Sequence, residues 1–376
     1  MSEVLIVGGG IMGLWAALMA GRAGIETRLL ERQNLGAGAS GGLLGALMPH
    51  MPDRWGAKKQ LQFDALVSLE SEIAQIEDAT GLSAGYRRSG RLMPLGKPHL
   101  REIALGHEQD AARHWIADGR RYFWHVHNAD AACGWPVADA ASFGLVHDTL
   151  AARVAPRSLL QALRAALDQF PLVRVEEGAE VSSIDPRRGR LMLTDGRALS
   201  FGYCILSAGV ESFSFLDRLV ATKAPSGSAV KGQAALLRAD VDPSSPVIFT
   251  DGLYIVAHEN GHVAIGSTSE NHFEEPFSTD GQLDALIRRA EILVPALRAA
   301  PVIERWAGLR PKAAGRDPMV GRHPDHEKLF VLTGGFKVSF GIAHVLARFV
   351  IDDIAGRSTI DLPDSFRCAV QIAALR

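Results

Sequence analysis

The chain has 376 residues, of which 47% are hydrophobic and 22% charged, and its formal net charge is −2. This length predicts a large core and two domains, and the balanced charge excludes the basic field that holds nucleic acid or an anionic membrane. The three cysteines, Cys133, Cys204 and Cys368, share no C-x-x-C spacing, so we expect neither a disulfide framework nor a zinc site. Without a signal peptide or an apolar run of spanning length, the sequence predicts a cytoplasmic protein.

The chain begins with a pattern of strand, glycine turn, helix and second strand. An apolar run at residues 4–7 leads directly into three spaced glycines, and residues 11–19 then carry an apolar stripe at helical spacing. The first glycine permits a tight turn, the second lets the backbone approach a pyrophosphate, and the third lets helix and strand pack closely. The helix N-terminus offers free N–H groups to the anion. This order predicts a dinucleotide site at Gly8, Gly10, Ile11, Met12 and Gly13.

The second strand ends in an acid, about twenty residues beyond the glycines, where a dinucleotide fold needs an acceptor for a ribose hydroxyl pair. Glu31 supplies that carboxylate. An acid here favours an unphosphorylated ribose and makes NADP the poorest candidate, although Arg32 beside it keeps that cofactor open.

A stretch of small residues follows at residues 35–45 and cannot fill a core by itself. We expect a flat or charged ligand to lie against its backbone, and a plain flexible connection is the alternative. The residues concerned are Ser40, Gly41, Gly42, Leu43 and Leu44.

The remaining elements follow two patterns, one typical of a parallel α/β sheet and the other of an antiparallel sheet. Helices are predicted over residues 63–80, from Pro156, over residues 282–293 and around residues 342–350. Parallel strands are predicted at residues 4–7, 25–30, 172–175, 203–206 and 329–333. Asp195-Gly196 indicates a hairpin, and residues 229–267 are typical of an antiparallel meander with no crossover helix. Two domains are therefore interleaved: residues 1–85, 145–215 and 305–376 form the nucleotide domain, and residues 86–144 and 216–304 form the second.

The ordered motifs of the whole chain resemble those of the flavin-dependent amine and amino-acid oxidases of the D-amino-acid oxidase type, and most closely glycine and sarcosine oxidases. The motifs are V-G-G-G-I-M-G at residues 7–13, A-S-G-G at 39–42, S-A-G at 207–209, W-A-G-L-R-P at 306–311, D-P-M-V-G at 317–321 and T-G-G-F-K at 333–337.

The resemblance implies noncovalent FAD rather than NAD, with the flavin ring between the two domains. The implied fold is α/β, with a Rossmann-type FAD-binding domain like that of glutathione reductase and an interleaved antiparallel-sheet substrate domain. Beyond the first motifs, the cofactor-binding residues that we expect are Val181, Ala208, Gly209, Gly334, Gly335, Phe336, Lys337 and Val338.

Two cations match residues that such oxidases use to hold a substrate carboxylate. The resemblance implies this role for Arg310, in G-x-R-P, and for Lys337, in G-F-K. A guanidinium fork fixes a carboxylate by two charged hydrogen bonds and so orients the substrate. A solvated loop position is the alternative for both, and Lys337 has a further one, stabilisation of an anionic reduced flavin.

Other candidate residues carry weaker signals. His50, Tyr254 and His258 are each candidates for the pocket, with packing or rim positions favoured instead. His125 and His127 share a strand face but have no acid or cysteine at ligand spacing, so no metal site is predicted. The chain also lacks the cysteine that tethers flavin in sarcosine oxidases, and the lysine that those enzymes hold over the flavin for reaction with oxygen. The electron acceptor is therefore oxygen or another molecule.

The resemblance implies hydride transfer from the α-carbon of a small amine or amino acid to FAD, followed by hydrolysis of the imine. Three alternatives stand beside it. They are oxidation of an aminomethyl group on a modified tRNA base, which the balanced charge disfavours, an acceptor-linked dehydrogenase of a small 2-hydroxy or amino acid, and a nucleotide-binding regulator without chemistry.

Overall fold

The computed structural model describes residues 4–357 and 360–376. The strands of these residues are β1 Val4–Val7, β2 Thr27–Glu31, β3 Ala46–Leu47, β4 Arg91–Pro94, β5 Ile116–Ala117, β6 Arg120–Arg121, β7 Trp124–His127, β8 Leu145–Asp148, β9 Ala152–Arg153, β10 Val173–Glu177, β11 Val181–Asp185, β12 Arg190–Leu193, β13 Ala198–Ser200, β14 Tyr203–Leu206, β15 Gly227–Arg238, β16 Val247–Thr250, β17 Leu253–Ala257, β18 His262–Gly266, β19 Val302–Ala313, β20 Met319–His323 and β21 His326–Thr333. The α-helices are α1 Ile11–Arg22, α2 Ala57–Thr80, α3 Pro98–His114, α4 Pro156–Leu167, α5 Glu211–Leu219, α6 Gly281–Leu293, α7 Ser339–Ile354 and α8 Cys368–Leu375. None of these helices is long and apolar enough to cross a membrane.

A six-stranded sheet in the order β10-β2-β1-β14-β21-β20 forms the first domain, and its strands are parallel except β20. The five predicted parallel strands are therefore confirmed. Val4 and Ile6 belong to the core that α1, α2, α4 and α7 form on one face. Leu5 and Val7 belong to the core on the other face, where the three-stranded sheet β11-β12-β13 lies with α5 and α8. Burial on both faces explains the continuous apolar run of β1.

An eight-stranded sheet in the order β19-β15-β18-β17-β16-β4-β8-β7 forms the second domain. Its strands run antiparallel except where β4 pairs with β16. The predicted meander supplies its centre, and the Asp251-Gly252 turn joins β16 to β17. Helix α6 covers one face through a core that includes Leu283 and Ile287. The opposite face is turned toward the first domain.

The expected domain boundaries differ from the sheet membership at two places. Strand β8 pairs with β4, and β19 pairs with β15 along nearly its whole length. Both strands thus belong to the second sheet, whereas the sequence predicts that residues 145–215 and 305–376 belong entirely to the first domain. Sheet membership depends on the pairing partner, and the residues of β8 and β19 do not indicate that partner. Helix α2 also begins at Ala57, six residues before the predicted start at residue 63, since its first turn is polar and carries no apolar period.

Candidate active site

A cavity of about 750 Å³ lies between the two sheets. Its walls come from the turn after β1, the ends of β2 and β14, the segment after β21, and the facing strands β4, β17 and β19. The carboxyl ends of parallel strands therefore meet the uncovered face of the second sheet. In open α/β sheets this is where ligands bind.

The glycine turn is built by close backbone contacts. Gly8 has a φ of +110°, and a Cβ there would stand 2.4 Å from the carbonyl oxygen of Ser207. A Cβ on Gly13 would stand 1.9 Å from the carbonyl oxygen of Gly8. Strand β1, helix α1 and the end of β14 can therefore approach one another only with glycine at both positions. Gly10 lines the cavity at the start of α1.

Two side chains hold this turn in place. The Oε2 atom of Glu31 accepts a hydrogen bond from the Gly9 amide at 2.8 Å, and its Oε1 atom accepts one from the Gln33 amide at 3.0 Å. The hydroxyl of Ser40 accepts from the Ile11 amide at 3.0 Å. Each carboxylate oxygen of Glu31 keeps a further lone pair with which to accept a ribose hydroxyl.

Arg32 forms an ion pair with Glu211 at 2.9 Å, and both side chains are exposed. Its charge is therefore already engaged by an acid. This contact weakens the case for a 2′-phosphate at the ribose, which Arg32 had kept open.

The expected cofactor residues lie on the cavity wall, with two exceptions. Those on the wall are Gly8, Gly10, Ile11, Met12, Glu31, Arg32, Ser40, Gly42, Leu43, Leu44, Val181, Ala208, Gly209, Gly334, Gly335, Phe336, Lys337 and Val338. Gly13 lies behind the wall, packed on Gly8. Gly41 also lies behind it, because its backbone abuts Gly36 and its carbonyl accepts a hydrogen bond from Arg157.

The lining of the cavity suits a dinucleotide. A Cβ on Gly335 would stand 2.5 Å from the Ser339 hydroxyl and 2.7 Å from the Met12 methyl group, so a side chain there would displace both. The buried hydroxyl of Ser207, also on the wall, has no hydrogen-bond partner among the described residues. A wall of close backbone with an unpaired polar atom suits a ligand that brings hydrogen-bonding groups of its own. FAD has these properties.

Arg310 reaches this cavity from β19 and is held by backbone. Its Nη1 atom donates to the carbonyl oxygen of Thr268 at 3.1 Å. A Cβ on Gly232 would stand 2.1–2.3 Å from three atoms of the guanidinium, so the two groups are in direct contact. Burial lowers the pKa of Arg310 from its ordinary value, against the opposing influence of Tyr254 and Glu270. Among the described residues, no carboxylate forms an ion pair with it.

Lys337 lies in the segment between β21 and α7, and its side chain lines the same cavity. Its pKa is lowered, first by desolvation and then by the positive charge of Arg310. Two cations thus share this end of the cavity, and an anion placed between them would relieve their repulsion.

His50 and Tyr254 also line the cavity, whereas His258 does not. Burial, followed by Lys58 and Lys59, lowers the pKa of His50. Burial raises the pKa of Tyr254. Both side chains are therefore uncharged at neutral pH. His258 is buried behind the wall, with its Nε2 atom 3.1 Å from the carbonyl oxygen of Leu43.

Sequence reasoning missed Arg91, which lines the cavity from β4. Its only signal is an arginine that begins a short apolar strand. No group of three or more histidine, cysteine, aspartate or glutamate side chains suited to a metal ion occurs in the part of the chain that the structure describes.

The two sheets, with a glycine-walled cavity at the carboxyl ends of the parallel strands, define a dinucleotide-binding α/β protein. The family model of FAD dependent oxidoreductases matches residues 3–349. The chain belongs to that family, and its cofactor is FAD.

Individual relatives extend over the whole chain. A glycine oxidase of Pseudomonas aeruginosa is 29% identical over 373 residues, which are 96% of this chain and 97% of that protein. A glycine oxidase of Pseudomonas putida is 25% identical over 362 residues, or 95% and 96% of the two chains. The crystal structure of glycine oxidase from Geobacillus kaustophilus has the same fold, with a TM-score of 0.85, 20% identity and coverage of 98% of both chains.

Proposed function

We propose that this protein oxidises the C–N bond of a small amino acid or of a secondary amine that carries a carboxylate. The observation that carries the proposal is Arg310, a cavity-lining guanidinium with no acidic partner among the described residues. A buried cation without a partner is unfavourable, so a carboxylate of the ligand would stabilise it. Two relatives that match nearly the whole chain are named glycine oxidase, which supports the same substrate class.

When bound, FAD would supply the two-electron acceptor for the hydride that leaves the α-carbon of the substrate. The nitrogen lone pair would form the C=N bond as the C–H bond breaks, and water would then hydrolyse the iminium to a carbonyl compound and an amine. Arg310 would fix the carboxylate and so aim the α-hydrogen. Lys337 would add a positive charge that favours both the bound carboxylate and the anionic reduced cofactor.

The chain's own residues impose a condition on the substrate nitrogen. A hydride leaves only an amine whose lone pair is free, so the ammonium form must lose a proton first. His50 has a lowered pKa, which makes it a weak base, and the raised pKa of Tyr254 keeps its phenol protonated. Neither residue is suited to take that proton at neutral pH. The substrate therefore reacts as the neutral amine, and the positive charges of Arg310 and Lys337 favour this form.

The direct test is anaerobic reduction of the purified, yellow protein. We expect glycine, N-methylglycine or another small amino acid to bleach the flavin absorbance. Replacing the carboxylate of the best substrate by an amide should slow the bleaching. Arg310→Ala should lower kcat/KM by at least about 100-fold, because the substrate carboxylate then enters the cavity unpaired.

Arg305→Ala is the matched control. Arg305 lies on the same strand but is exposed and paired with Asp284 outside the cavity. Its removal should leave bleaching unchanged. A flavin that no amino acid or amine reduces would contradict the proposal. If an amine does reduce the flavin, mixing the reduced protein with oxygen, and separately with a quinone, would identify the electron acceptor.

A further inference from the structure

Arg91 and Arg310 lie on the same face of the eight-stranded sheet. In β4, Arg91 stands beside Val247 of β16, and two residues further along β16 Phe249 stands opposite Tyr254 of β17. Because side chains alternate along a strand, these residues all point to one face. From Tyr254 the register passes through Gly266 and Ala234 to Trp306, which points to the same face as Arg310. The cavity therefore has a guanidinium group at each side of Tyr254.

Arg91 is buried, with 2% of its surface exposed, and it uses little of its hydrogen-bonding capacity. Its Nε atom donates to Oδ2 of Asp148 at 2.5 Å, and its guanidinium lies 5.5 Å from the centre of the Trp124 ring. The Nη2 atom is buried without any hydrogen-bond partner among the described residues. A buried donor left unpaired is costly, and native proteins usually satisfy it.

Arg88, three residues earlier, shows what a purely structural arginine does in the same segment. Its side chain is also largely buried, with 6% exposed, and also lies over an aromatic ring, that of Tyr122. Its Nε, Nη1 and Nη2 atoms donate to Glu70, to the Leu150 carbonyl and to the Leu66 carbonyl. Arg88 does not line the cavity, whereas Arg91 does. The donors that Arg91 leaves unpaired thus coincide with its place on the cavity wall.

The surroundings favour an acid as the missing partner. Asp148 anchors Arg91 and is itself held, since its Oδ1 atom accepts from the Ala151 amide at 2.8 Å. The groups that face this part of the cavity include His50 and Tyr254. Burial lowers the pKa of His50, and the positive charge of Arg91 adds to that lowering. Burial raises the pKa of Tyr254, and the charge of Arg91 opposes that rise. Lys58 and Lys59 also lower the pKa of His50, opposed by Asp317. The positive potential therefore extends from Arg91 into the cavity.

We propose that the substrate carries two carboxylates, one held by Arg310 beside the reacting carbon and the other held by Arg91 beyond Tyr254. This inference rests on the proposed function, because it describes the substrate of the same site. The substrate is then an amino acid with an acidic side chain or an acidic substituent on nitrogen. Glycine itself would occupy only the Arg310 half of the site.

The test compares two substrate series on the FAD-loaded protein. The first is a set of N-(carboxyalkyl)glycines with one to four methylene groups in the substituent, and the second is the N-alkylglycines of equal length. We expect kcat/KM for one acidic length to exceed that of its uncharged partner by at least about tenfold, as a charged hydrogen bond provides. The length that gives the largest ratio measures the span from Arg310 to Arg91.

Three variants assign the effect to Arg91. Arg91→Lys keeps the ion pair with Asp148 but loses the fork, and the acid preference should fall toward one. The double change Arg91→Met with Asp148→Asn removes both buried charges, and it should bring the ratio of kcat/KM for acidic and uncharged substrates to one at every length. Arg88→Lys is the matched control and should keep the preference.

A binding measurement is independent of turnover. A dicarboxylic acid without an amine, such as glutarate, should perturb the flavin absorbance of the wild-type protein, with a dissociation constant that rises at least about tenfold in Arg91→Lys. Equal rates for acidic and uncharged substrates at every length, together with unchanged glutarate binding in Arg91→Lys, would overturn the inference. That result would leave the proposed function intact, because N-alkylglycines would still reduce the flavin. The proposed function is contradicted only if no amine reduces the flavin.

Discussion

Arg310 rests directly on the backbone of Gly232, where a Cβ would come within 2.1–2.3 Å of three guanidinium atoms. The two residues lie on the adjacent strands β15 and β19, two positions apart in register. A side chain at position 232 therefore has to displace the group that we expect to hold the substrate. Gly232 is therefore required to position the guanidinium of Arg310.

Gly232→Ala tests this contact. We expect kcat/KM to fall by about 100-fold, because a displacement of the anchor by about 1 Å has that effect on a positioned substrate. FAD content should not change. Gly106→Ala is the matched control, since a Cβ on Gly106 meets nothing within 4 Å. The measurement is kcat/KM with the best substrate. An unchanged value in Gly232→Ala would exclude a role for Arg310 in substrate binding.

Lys337→Met should make the flavin harder to reduce. The Lys337 side chain lines the cavity next to the expected flavin, and its charge favours the anionic reduced form. We expect the midpoint potential to fall by about 30 mV, which corresponds to about 1.4 kcal/mol for a two-electron couple. Lys97→Met, an exposed lysine before α3, is the control. Equilibrium titration with a reference dye measures both, and a potential equal to that of the wild type would exclude this role of Lys337.

Glu31→Ala should weaken FAD binding. Its two carboxylate oxygens hold the amides of Gly9 and Gln33, and they are also the expected acceptors for the ribose. Loss of a charged hydrogen bond predicts a dissociation constant for FAD that is at least about tenfold larger. Titration of the apoprotein with FAD, followed by flavin fluorescence, provides the measurement. Glu26→Ala, an exposed acid before the same strand, should bind FAD normally; similar loss in both variants would exclude a specific role for Glu31.

Acid should destabilise the protein partly through His344. This histidine is buried beside Trp15, and burial lowers its pKa to about 4. The unfolded chain takes up a proton below the ordinary value of 6.5, and the folded chain does so only near 4. The free energy of unfolding therefore falls as the pH drops through this window, by at most about 1.4 kcal/mol per pH unit for this group.

His344→Gln removes that titration. Urea unfolding at about pH 7 and at about pH 5 should show a smaller acid-induced loss in the variant than in the wild type. His99→Gln changes an exposed histidine of α3 and serves as the control. An identical loss in His344→Gln and in the wild type would show that His344 does not contribute.

Local patterns predicted the parts of the fold that local chemistry determines. The glycine spacing around Gly8 and Gly13 predicted the close strand-helix turn, because no other residue fits at either position. The Asp195-Gly196 pair predicted the hairpin of β12 and β13. The run at residues 203–206 predicted a parallel strand, since it is apolar on both faces.

Features that depend on distant partners were less accessible. Strands β8 and β19 belong to the second sheet because of their pairing with β4 and β15, and nothing in their own residues states that choice. Arg91 looks like an isolated charge in an apolar strand until Asp148, 57 residues away, is placed beside it. His258 had no more signal than Tyr254, and only the tertiary structure places Tyr254 on the cavity wall and His258, just beyond β17, against the Leu43 carbonyl.

The pairing of β14 with β21 has a consequence for biosynthesis. The last strands of the first sheet and the residues that follow them, including Lys337, reach the cavity only after the whole of the second sheet has been made. A nascent chain that ends within the meander can pair β15 with β18 but lacks a whole side of the cofactor cradle. Flavin capture therefore requires a polypeptide that extends at least through Lys337, and no single cut separates the two sheets, because strands of the first sheet lie before and after the second.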